Sequence, residues 1–390
     1  MRRTPVLRLK RGRETRARSH PWIFKGDVAD VATDAPAIVT VVASRGEFVG
    51  RGFYNRRPAL CCRLLTWNDE PIDTEFFRRR VHAAVDRRRT NGAMTDLGRL
   101  VWSEADGLPG FVADRYGSVV VIQCLTLGMA ERRTQLATAL RSTVGDAPIF
   151  CADDLVPAKL EGFEPVHGWL DREGPATVVV DEGPVRFTVR IGEGHKTGLY
   201  LDQRDNRVRM RQLARARDVL DAFCYTAGFA CHALVGGARH ATCIESSPDA
   251  LAGARENLEL NGVADRAELI AGNAFDELRR LDRAGARFGV IVLDPPPFAR
   301  SREALDAAAR GYKEINLRAL RMLAPGGVLA TFSCSHHVGE AMFSEICRDA
   351  AADAGVGLRV LDRLTQSADH PVLLNVPETR YLKGLLLERA

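Results

Sequence analysis

The chain has 390 residues, a length that predicts two or three domains with full-sized hydrophobic cores. With 46% hydrophobic and 27% charged residues its composition is globular, which excludes disordered, collagen-like and coiled-coil classes. Nine cysteines without Cys-x-x-Cys spacing favour neither a disulfide framework nor a zinc site, so a cytoplasmic, reducing location is expected. No apolar run reaches the roughly 18 residues of a membrane span, and no signal peptide is expected.

The positive charge is concentrated at the N-terminus. Residues 1–26 carry nine basic side chains against one acidic side chain, or +8, whereas the remainder carries 46 against 49, or −3. Such a local excess favours a polyanion partner, because binding releases counterions from nucleic acid. A role in solubility is an equally good interpretation of this segment alone. The candidate RNA contacts here are Arg11, Arg13, Arg16 and Arg18.

The first part of the chain has the pattern of a small β-barrel. Residues 38–54 predict two strands joined by a turn at residues 44–46, and residues 60–66 predict a third. Short strands with glycine turns are typical of such barrels. A boundary is expected near Pro71, so residues 1–72 form the first predicted domain.

The middle of the chain mixes helices and strands. Residues 75–89 and 130–142 predict helices, and strands are expected near residues 110–114, 119–125 and 177–191. This arrangement predicts a central α+β domain over residues 73–190.

From residue 191 to residue 390 strands and helices alternate. Short continuous apolar runs predict strands buried on both faces, at residues 219–222, 241–244, 269–271, 290–293 and 328–332. Ser247 is a predicted N-cap that is followed by proline, and residues 305–322 predict a long amphipathic helix. Alternation of this kind predicts an α/β domain with a doubly wound parallel sheet.

Ligands of such sheets bind beyond the carboxyl ends of the strands. The first strand leads into the sequence DAFCYTAG, which ends at Gly228 and lacks the Gly-x-Gly-x-x-Gly pattern of dinucleotide sites. The second strand ends at Glu245, whose carboxylate can accept hydrogen bonds from both hydroxyls of a ribose. The third leads to Asn273, whose amide can hydrogen-bond an adenine edge.

The fourth and fifth strands end in a carboxylate and a thiol. Asp294 precedes three prolines and Phe298, and this stiff loop favours a functional role. Cys334 follows forty positions later, one strand-helix-strand unit, so the two side chains are predicted to project side by side. Most unpaired cysteines pack in cores, but a strand end between two serines is not typical of a core. His336 and His337 are adjacent and lack a third ligand, so no metal site is predicted.

These motifs together resemble the class I S-adenosylmethionine-dependent methyltransferases, and more closely the bacterial ribosomal RNA (cytosine-C5) methyltransferases that join a PUA domain to this fold. The resemblance extends over nearly the whole chain. The segments that carry it are residues 20–24 (HPWIF), 50–54 (GRGFY), 103–110 (SEADGLPG), 194–207 (GHKTGLYLDQRDNR), 223–229 (FCYTAGF), 294–296 (DPP), 310–313 (RGYK) and 331–335 (TFSCS).

The resemblance implies a Rossmann-like class I methyltransferase domain, an N-terminal PUA-like β-barrel and a central α+β domain. It implies S-adenosylmethionine as cofactor and large-subunit ribosomal RNA as partner, at a single-stranded or loop target. The implied cofactor contacts are Gln203, Arg204, Phe223, Tyr225, Thr226, Gly228, Glu245, Asn273, Ala274 and Asp294. Beyond the N-terminal arginines, the candidate RNA contacts are Lys196 and Lys313.

The same resemblance implies that Cys334 is a nucleophile that adds to carbon 6 of cytosine, which makes carbon 5 reactive. Asp294, in its protonated form, would hydrogen-bond N3 and stabilise the charge that develops there. Two positions depart from the family's pattern. Pro297 stands where a lysine commonly follows Asp-Pro-Pro, and Asn273 stands where an acidic residue is common. The sequence does not identify the base that removes the proton from carbon 5.

Two other functions stay open at this point. An exocyclic-amine methyltransferase would use Asp294, a proline carbonyl and a stacked Phe298, with no cysteine nucleophile. A non-catalytic RNA-binding assembly factor would need only the PUA-like segment and the basic N-terminus, but Glu245, Asp294 and Cys334 at one predicted sheet edge argue against it. A monomer and a homodimer are both compatible with the sequence, and no membrane association is expected.

Overall fold

The computed structural model describes residues 4–193, 198–299, 301 and 303–390. Contacts between Cα atoms divide the chain into two compact units. Of the described residues, 4–178, 189–193, 198–199 and 368–379 belong to the first unit, and 179–188, 200–299, 301, 303–367 and 380–390 belong to the second. The division into three domains near residues 72 and 190 stays a prediction.

A six-stranded sheet is built by the N-terminal residues of the first unit. Its elements are β1 (Val6–Leu9), α1 (Glu14–Ala17), β2 (Trp22–Phe24), β3 (Val28–Val31), β4 (Ala37–Val42), β5 (Phe48–Tyr54) and β6 (Leu60–Thr66). The strand order is β2-β6-β5-β4-β1-β3, with β1 parallel to β4. In the GRGFY motif, a Cβ atom at Gly52 would lie 2.2 Å from the carbonyl oxygen of Arg63, so the pairing of β5 with β6 requires glycine there. The three strands predicted from sequence, β4 to β6, are confirmed.

A second sheet of the first unit carries helices on its surface. Its elements are α2 (Thr74–Thr90), β7 (Leu97–Trp102), β8 (Phe111–Tyr116), β9 (Val119–Cys124), α3 (Leu127–Ala130), α4 (Arg133–Val144), β10 (Ile149–Ala152), α5 (Leu155–Glu161) and β11 (His167–Trp169). The strand order is β11-β10-β9-β8-β7. Apolar side chains of α2, α4 and the sheet form one buried core, in which Phe76, Val120 and Leu140 are at most 1% exposed. The α+β character predicted for this part is confirmed.

A two-stranded sheet follows, made of β12 (Thr177–Glu182) and β13 (Val185–Arg190). Residues 179–188 of this pair belong to the second unit.

The second unit is an α/β domain. Its elements are α6 (Arg204–Leu213), β14 (Asp218–Ala222), α7 (Gly228–Val235), β15 (His240–Glu245), α8 (Pro248–Leu260), β16 (Ala267–Ala271), α9 (Ala274–Arg283), β17 (Phe288–Leu293), α10 (Leu305–Met322), β18 (Leu323–Ser333), α11 (Glu340–Ala354), β19 (Leu358–Thr365) and β20 (Lys383–Arg389). The strand order is β16-β15-β14-β17-β18-β20-β19. Strand order reverses between β14 and β17. In sheets of this kind, ligands bind at this point, beyond the carboxyl ends of the strands.

The five strands predicted for this domain are confirmed, and they pair in parallel. The predicted N-cap is also confirmed, because the hydroxyl of Ser247 accepts a hydrogen bond from the amide of Ala250 at 3.3 Å. The sequence did not predict β20, which lies antiparallel between β18 and β19. None of the helices in the described part of the chain combines the length and apolar character needed to cross a membrane.

Candidate active site

The turn that joins β14 to α7 has an unusual backbone. Phe223, Tyr225 and Ala227 have φ angles of 64°, 50° and 60°, in the left-handed region that non-glycine residues rarely adopt. Backbone strain of this kind is concentrated at binding sites. The turn replaces a glycine-rich loop with three left-handed residues and delivers the chain to the N-terminus of α7.

Two carboxylates hold this turn. Asp221 is 1% exposed and accepts a hydrogen bond from the amide of Ala230 at 3.0 Å, while burial raises its pKa to about 7. Its other oxygen has no hydrogen-bond partner among the described residues. Glu245 accepts from the amide of Tyr225 at 3.0 Å through one oxygen and from the amides of Ser246 and Ser247 through the other. The unpaired oxygen of Asp221 and the Glu245 oxygen that accepts from Tyr225 each keep a lone pair for a ligand, whereas the other Glu245 oxygen already accepts from two amides.

A second group of site residues follows residue 200. Gln203 is 2% exposed, and its amide oxygen accepts a hydrogen bond from Asn206 at 2.6 Å. Its amide nitrogen is buried without a hydrogen-bond partner in the part of the chain that the structure describes. A buried donor without a partner costs free energy, so this nitrogen is suited to an acceptor group of a ligand. Arg204 begins α6 and lies 3.2 Å from the carboxylate of Asp205.

Asn273 has a structural role in addition to any contact with a ligand. Its side-chain oxygen caps α9 by accepting from the amide of Phe275 at 2.9 Å, and Ala274 is the first, buried residue of that helix. The cap does not use the side-chain nitrogen of Asn273, which is an exposed residue.

Four aromatic rings from the turn, the Asp-Pro-Pro-Pro-Phe loop and helices α9 and α10 pack together. The ring of Phe298 lies 4.6 Å from that of Tyr312, 5.5 Å from that of Phe275 and 6.3 Å from that of Phe223. These separations are those of favourable aromatic pairs. Phe223 and Phe298 are therefore partly buried by these contacts.

Cys334 and Asp294 follow the neighbouring strands β18 and β17, which pair in parallel with Thr331 opposite Leu293. The thiol of Cys334 lies 3.9 Å from the carbonyl oxygen of Pro295, in the loop that begins at Asp294. Burial, together with the negative charges of Asp294 and Cys334 among others, raises the pKa of the Tyr200 phenol. The thiol, the carboxylate and the phenol thus share one electrostatic environment.

Cys334 differs from the other eight cysteines. It is partly exposed, whereas the other eight are buried. Burial raises the pKa of Cys61 and of Cys151 to about 11, so such thiols stay protonated at neutral pH.

Hydroxyl groups fix the segment around Cys334. The hydroxyl of Tyr312 is 3.0 Å from those of both Ser333 and Ser335. Ser335 also accepts a hydrogen bond from the amide of Ala299 at 3.3 Å. This network joins α10, the end of β18 and the loop after Asp294, and it holds Cys334 between its two serine neighbours.

The candidate RNA contacts lie elsewhere. Arg11, Arg13, Arg16 and Arg18 are exposed on the N-terminal segment of the first unit. The guanidinium of Arg16 lies 5.4 Å from the ring centre of the partly exposed Phe24. Lys313 lies in the second unit and forms an ion pair with Asp353 at 2.7 Å, and Lys196 lies outside the described residues.

Three residues near the site were not assigned from sequence. Asp221 precedes the turn and could have been identified from its position at a strand end. Tyr200 lies in a recognised segment, GHKTGLYLDQRDNR, but nothing in the sequence pairs it with Asp294. Lys383 begins β20, a strand that had not been predicted, so no sequence signal placed it near Cys334.

The sequence matches two family models. The S-adenosylmethionine-dependent methyltransferase family matches residues 108–388, and a PUA-like domain matches residues 7–67. Curated relatives include proteins named ribosomal RNA large subunit methyltransferase I. The one from Klebsiella pneumoniae (strain 342) is 40% identical over 388 residues, and the one from Alteromonas mediterranea is 38% identical over 389 residues, with at least 97% of both chains covered in each case.

Solved structures share the fold. An S-adenosylmethionine-dependent methyltransferase from Streptococcus mutans has a TM-score of 0.84 at 19% identity, and a methyltransferase solved as a complex with SAH has a TM-score of 0.85 at 20% identity. Both alignments cover 98% of this chain and 99% of the other. The chain therefore belongs to the S-adenosylmethionine-dependent methyltransferases, with S-adenosylmethionine as cofactor, in the family with a PUA-like domain whose curated relatives are named ribosomal RNA large subunit methyltransferase I.

Proposed function

We propose that this protein methylates carbon 5 of a cytosine in large-subunit ribosomal RNA, with Cys334 as the nucleophile. The observation that carries the proposal is the partly exposed thiol of Cys334, at a strand end 3.9 Å from the carbonyl oxygen of Pro295 in the Asp294 loop. The names of the curated relatives support ribosomal RNA as the substrate. Cysteines that form no disulfide bonds among the described residues are consistent with a cytoplasmic location.

The cofactor site is proposed to comprise the ten residues implied by the family resemblance, from Gln203 to Asp294. The unpaired amide nitrogen of Gln203 is suited to the carboxylate of the amino-acid part, and the Glu245 oxygen that accepts from Tyr225 keeps a lone pair for a ribose hydroxyl. The unpaired oxygen of Asp221 adds an acceptor beside the strained turn. The residues present therefore fit S-adenosylmethionine. When bound, it supplies an electrophilic methyl group and leaves as S-adenosylhomocysteine.

The chain's own residues carry the remaining chemistry. The thiolate of Cys334 forms a bond to carbon 6 of the cytosine, and the electron pair of the C5–C6 double bond becomes available at carbon 5 for the new bond to the methyl carbon. Asp294, carrying a proton, donates a hydrogen bond to N3 and stabilises the charge that builds up there. Loss of the carbon 5 proton to a base then restores the double bond, and the bond between sulfur and carbon 6 breaks.

The exocyclic-amine alternative has weaker support. It needs the ring of Phe298, which is partly buried against Tyr312, Phe275 and Phe223, to stack on the target base, and it leaves the partly exposed thiol of Cys334 without a role. RNA capture is proposed to involve Arg11, Arg13, Arg16 and Arg18 of the PUA-like segment, with Lys196 and Lys313 as further candidates.

Mass spectrometry of nucleosides and fragments of ribosomal RNA, from cells with and without this protein, tests the function. We expect one 5-methylcytosine in large-subunit RNA to disappear when the gene is deleted. A methyl group lost instead from the exocyclic nitrogen of a base, or no change at all, would contradict the proposal.

Replacement of Glu245 by glutamine is expected to weaken S-adenosylmethionine binding about tenfold. The variant keeps the side-chain shape but loses the charge that strengthens hydrogen bonds from the ribose hydroxyls, which is worth about 1.5 kcal/mol. Isothermal titration calorimetry measures the change. Glu259→Gln is the matched control, because Glu259 is exposed on α8. Equal affinities of Glu245→Gln and wild type would remove Glu245 from the proposed site.

A further inference from the structure

Lys383 is a buried cation next to the proposed nucleophile. It begins β20, where it pairs with Ser333 of β18, and only 7% of its surface is exposed. Its ammonium group donates a hydrogen bond to the carbonyl oxygen of Ser335 at 2.6 Å. In the sequence, Cys334 thus lies between Ser333, which pairs with Lys383 in the sheet, and Ser335, which accepts the hydrogen bond from Lys383.

Lys383 has no carboxylate partner in the part of the chain that the structure describes. Among the described residues, no carboxylate oxygen lies within 4 Å of its ammonium nitrogen. The nearby Glu340 forms ion pairs with Arg363 and Arg380, at 2.8 and 3.0 Å. A buried charge without a counter-ion is costly, so an anion that forms beside Lys383 is stabilised by it.

The titratable groups around this position leave Cys334 as the anion that matches. Burial lowers the pKa of Lys383, while the charge of Cys334 raises it. His336 has a pKa lowered by partial desolvation and by the charges of Lys383 and His337. Tyr312 is kept protonated by burial, because burial raises its pKa. Burial and nearby negative charges raise the pKa of the Tyr200 phenol, so Tyr200 is neutral at neutral pH, and a carboxyl such as Asp294 carries no positive charge in either protonation state.

We propose that Lys383 is a positioning residue that stabilises the thiolate of Cys334 and holds its loop through the carbonyl of Ser335. This inference rests on the proposed role of Cys334 as the nucleophile. A free cysteine with a pKa near roughly 8.5 is only a few per cent thiolate at pH 7. One adjacent cation lowers the pKa of such a thiol by about 1 to 2 pH units. Lys383 therefore supplies the positive charge that this nucleophile requires.

The test is the pH dependence of alkylation of Cys334 by iodoacetamide, followed by mass spectrometry of the peptide that contains it. It needs neither RNA nor cofactor, and the eight buried cysteines react slowly. Lys383→Gln keeps a hydrogen-bond donor for Ser335 but removes the charge, whereas Lys383→Arg keeps both. We expect the pH at which the alkylation rate is half-maximal to rise by about 1 pH unit or more in Lys383→Gln. In Lys383→Arg this pH should stay near the wild-type value.

Lys159→Gln is the matched control, since Lys159 is exposed on α5 and belongs to no proposed site. Circular dichroism of each variant shows that the alkylated protein is folded. A Lys383→Gln midpoint within about 0.3 units of wild type, or a wild-type midpoint at or above the ordinary value of roughly 8.5, would overturn the inference. Methylation that survives Cys334→Ala would instead overturn the proposed function, so the two failures are distinguishable.

Discussion

Replacement of Cys334 by alanine is expected to lower the rate of RNA methylation by a factor of about 10³ or more. The variant removes the atom that must bond to carbon 6, and loss of a nucleophile costs at least this much in enzymes that use covalent catalysis. Binding of S-adenosylmethionine should be unchanged, because the thiol is assigned to the base and not to the cofactor. Single-turnover methylation of ribosomal RNA and calorimetry measure the two quantities.

Cys61→Ala is a control for the loss of a thiol, because Cys61 is buried in β6 of the first unit. It should keep nearly full methylation activity after correction for the folded fraction. Cys334→Ser should resemble Cys334→Ala, since an alcohol is a far weaker nucleophile at neutral pH. Methylation by Cys334→Ala within tenfold of wild type would be incompatible with the proposed mechanism.

Replacement of Arg207 by methionine is expected to destabilise the second unit by about 3–5 kcal/mol, the usual cost of leaving one buried charge without its partner. Arg207 and Glu182 are 2% and 3% exposed, and they are joined by two hydrogen bonds at 2.6 and 2.7 Å. His232 lies 2.9 Å from the same carboxylate. Arg207 also donates to the carbonyl oxygen of Tyr200, three residues before Gln203 of the proposed cofactor site, so cofactor affinity should fall as well. Urea denaturation measures the loss of stability.

The effect should depend on pH in a definite direction. Burial alone would raise the pKa of Glu182, but Arg207 and His232 more than offset this and lower it to about 2. Because folding lowers this pKa, ionised Glu182 contributes stability that is fully present above the ordinary glutamate pKa of about 4.3. This stability is lost as the pH falls towards 2. The difference in free energy of unfolding between wild type and Arg207→Met should therefore be largest near neutral pH and should shrink below about pH 4.

Arg209→Met, on the exposed face of the same helix, should cost less than about 0.5 kcal/mol of stability at any pH. A cost for Arg207→Met as small as that of this control would contradict the argument.

The α/β domain could be predicted because its strands have strong local signals. Residues such as 290–293 are apolar without interruption, since β17 is buried on both faces, and helix α8 begins at a serine followed by proline. Strands with weak signals were missed. β2 and β11 have three residues each, and β20 follows a segment, residues 368–379, that belongs to the other unit, so its pairing partners are distant in sequence.

The site was predicted in part, because side chains at strand ends follow from the fold but their hydrogen bonds do not. The sequence placed Asp294 and Cys334 on neighbouring strands, and the pairing of β17 with β18 agrees with this. The sequence could not show that Phe298 packs against Tyr312, since that contact joins a loop to a helix. It could not show Lys383 beside Cys334 either, because the antiparallel pairing of β20 with β18 brings together residues that are 50 positions apart at Ser333 and Lys383.

The most direct test of covalent methylation at carbon 5 uses RNA in which the target cytosine carries fluorine at that carbon. Fluorine cannot leave as a proton does, so the enzyme and RNA should stay joined after methyl transfer. We expect a complex that survives denaturation, requires S-adenosylmethionine, and maps by mass spectrometry to the peptide that contains Cys334. Full release of methylated RNA without a trapped complex, or attachment at any other residue, would contradict the account.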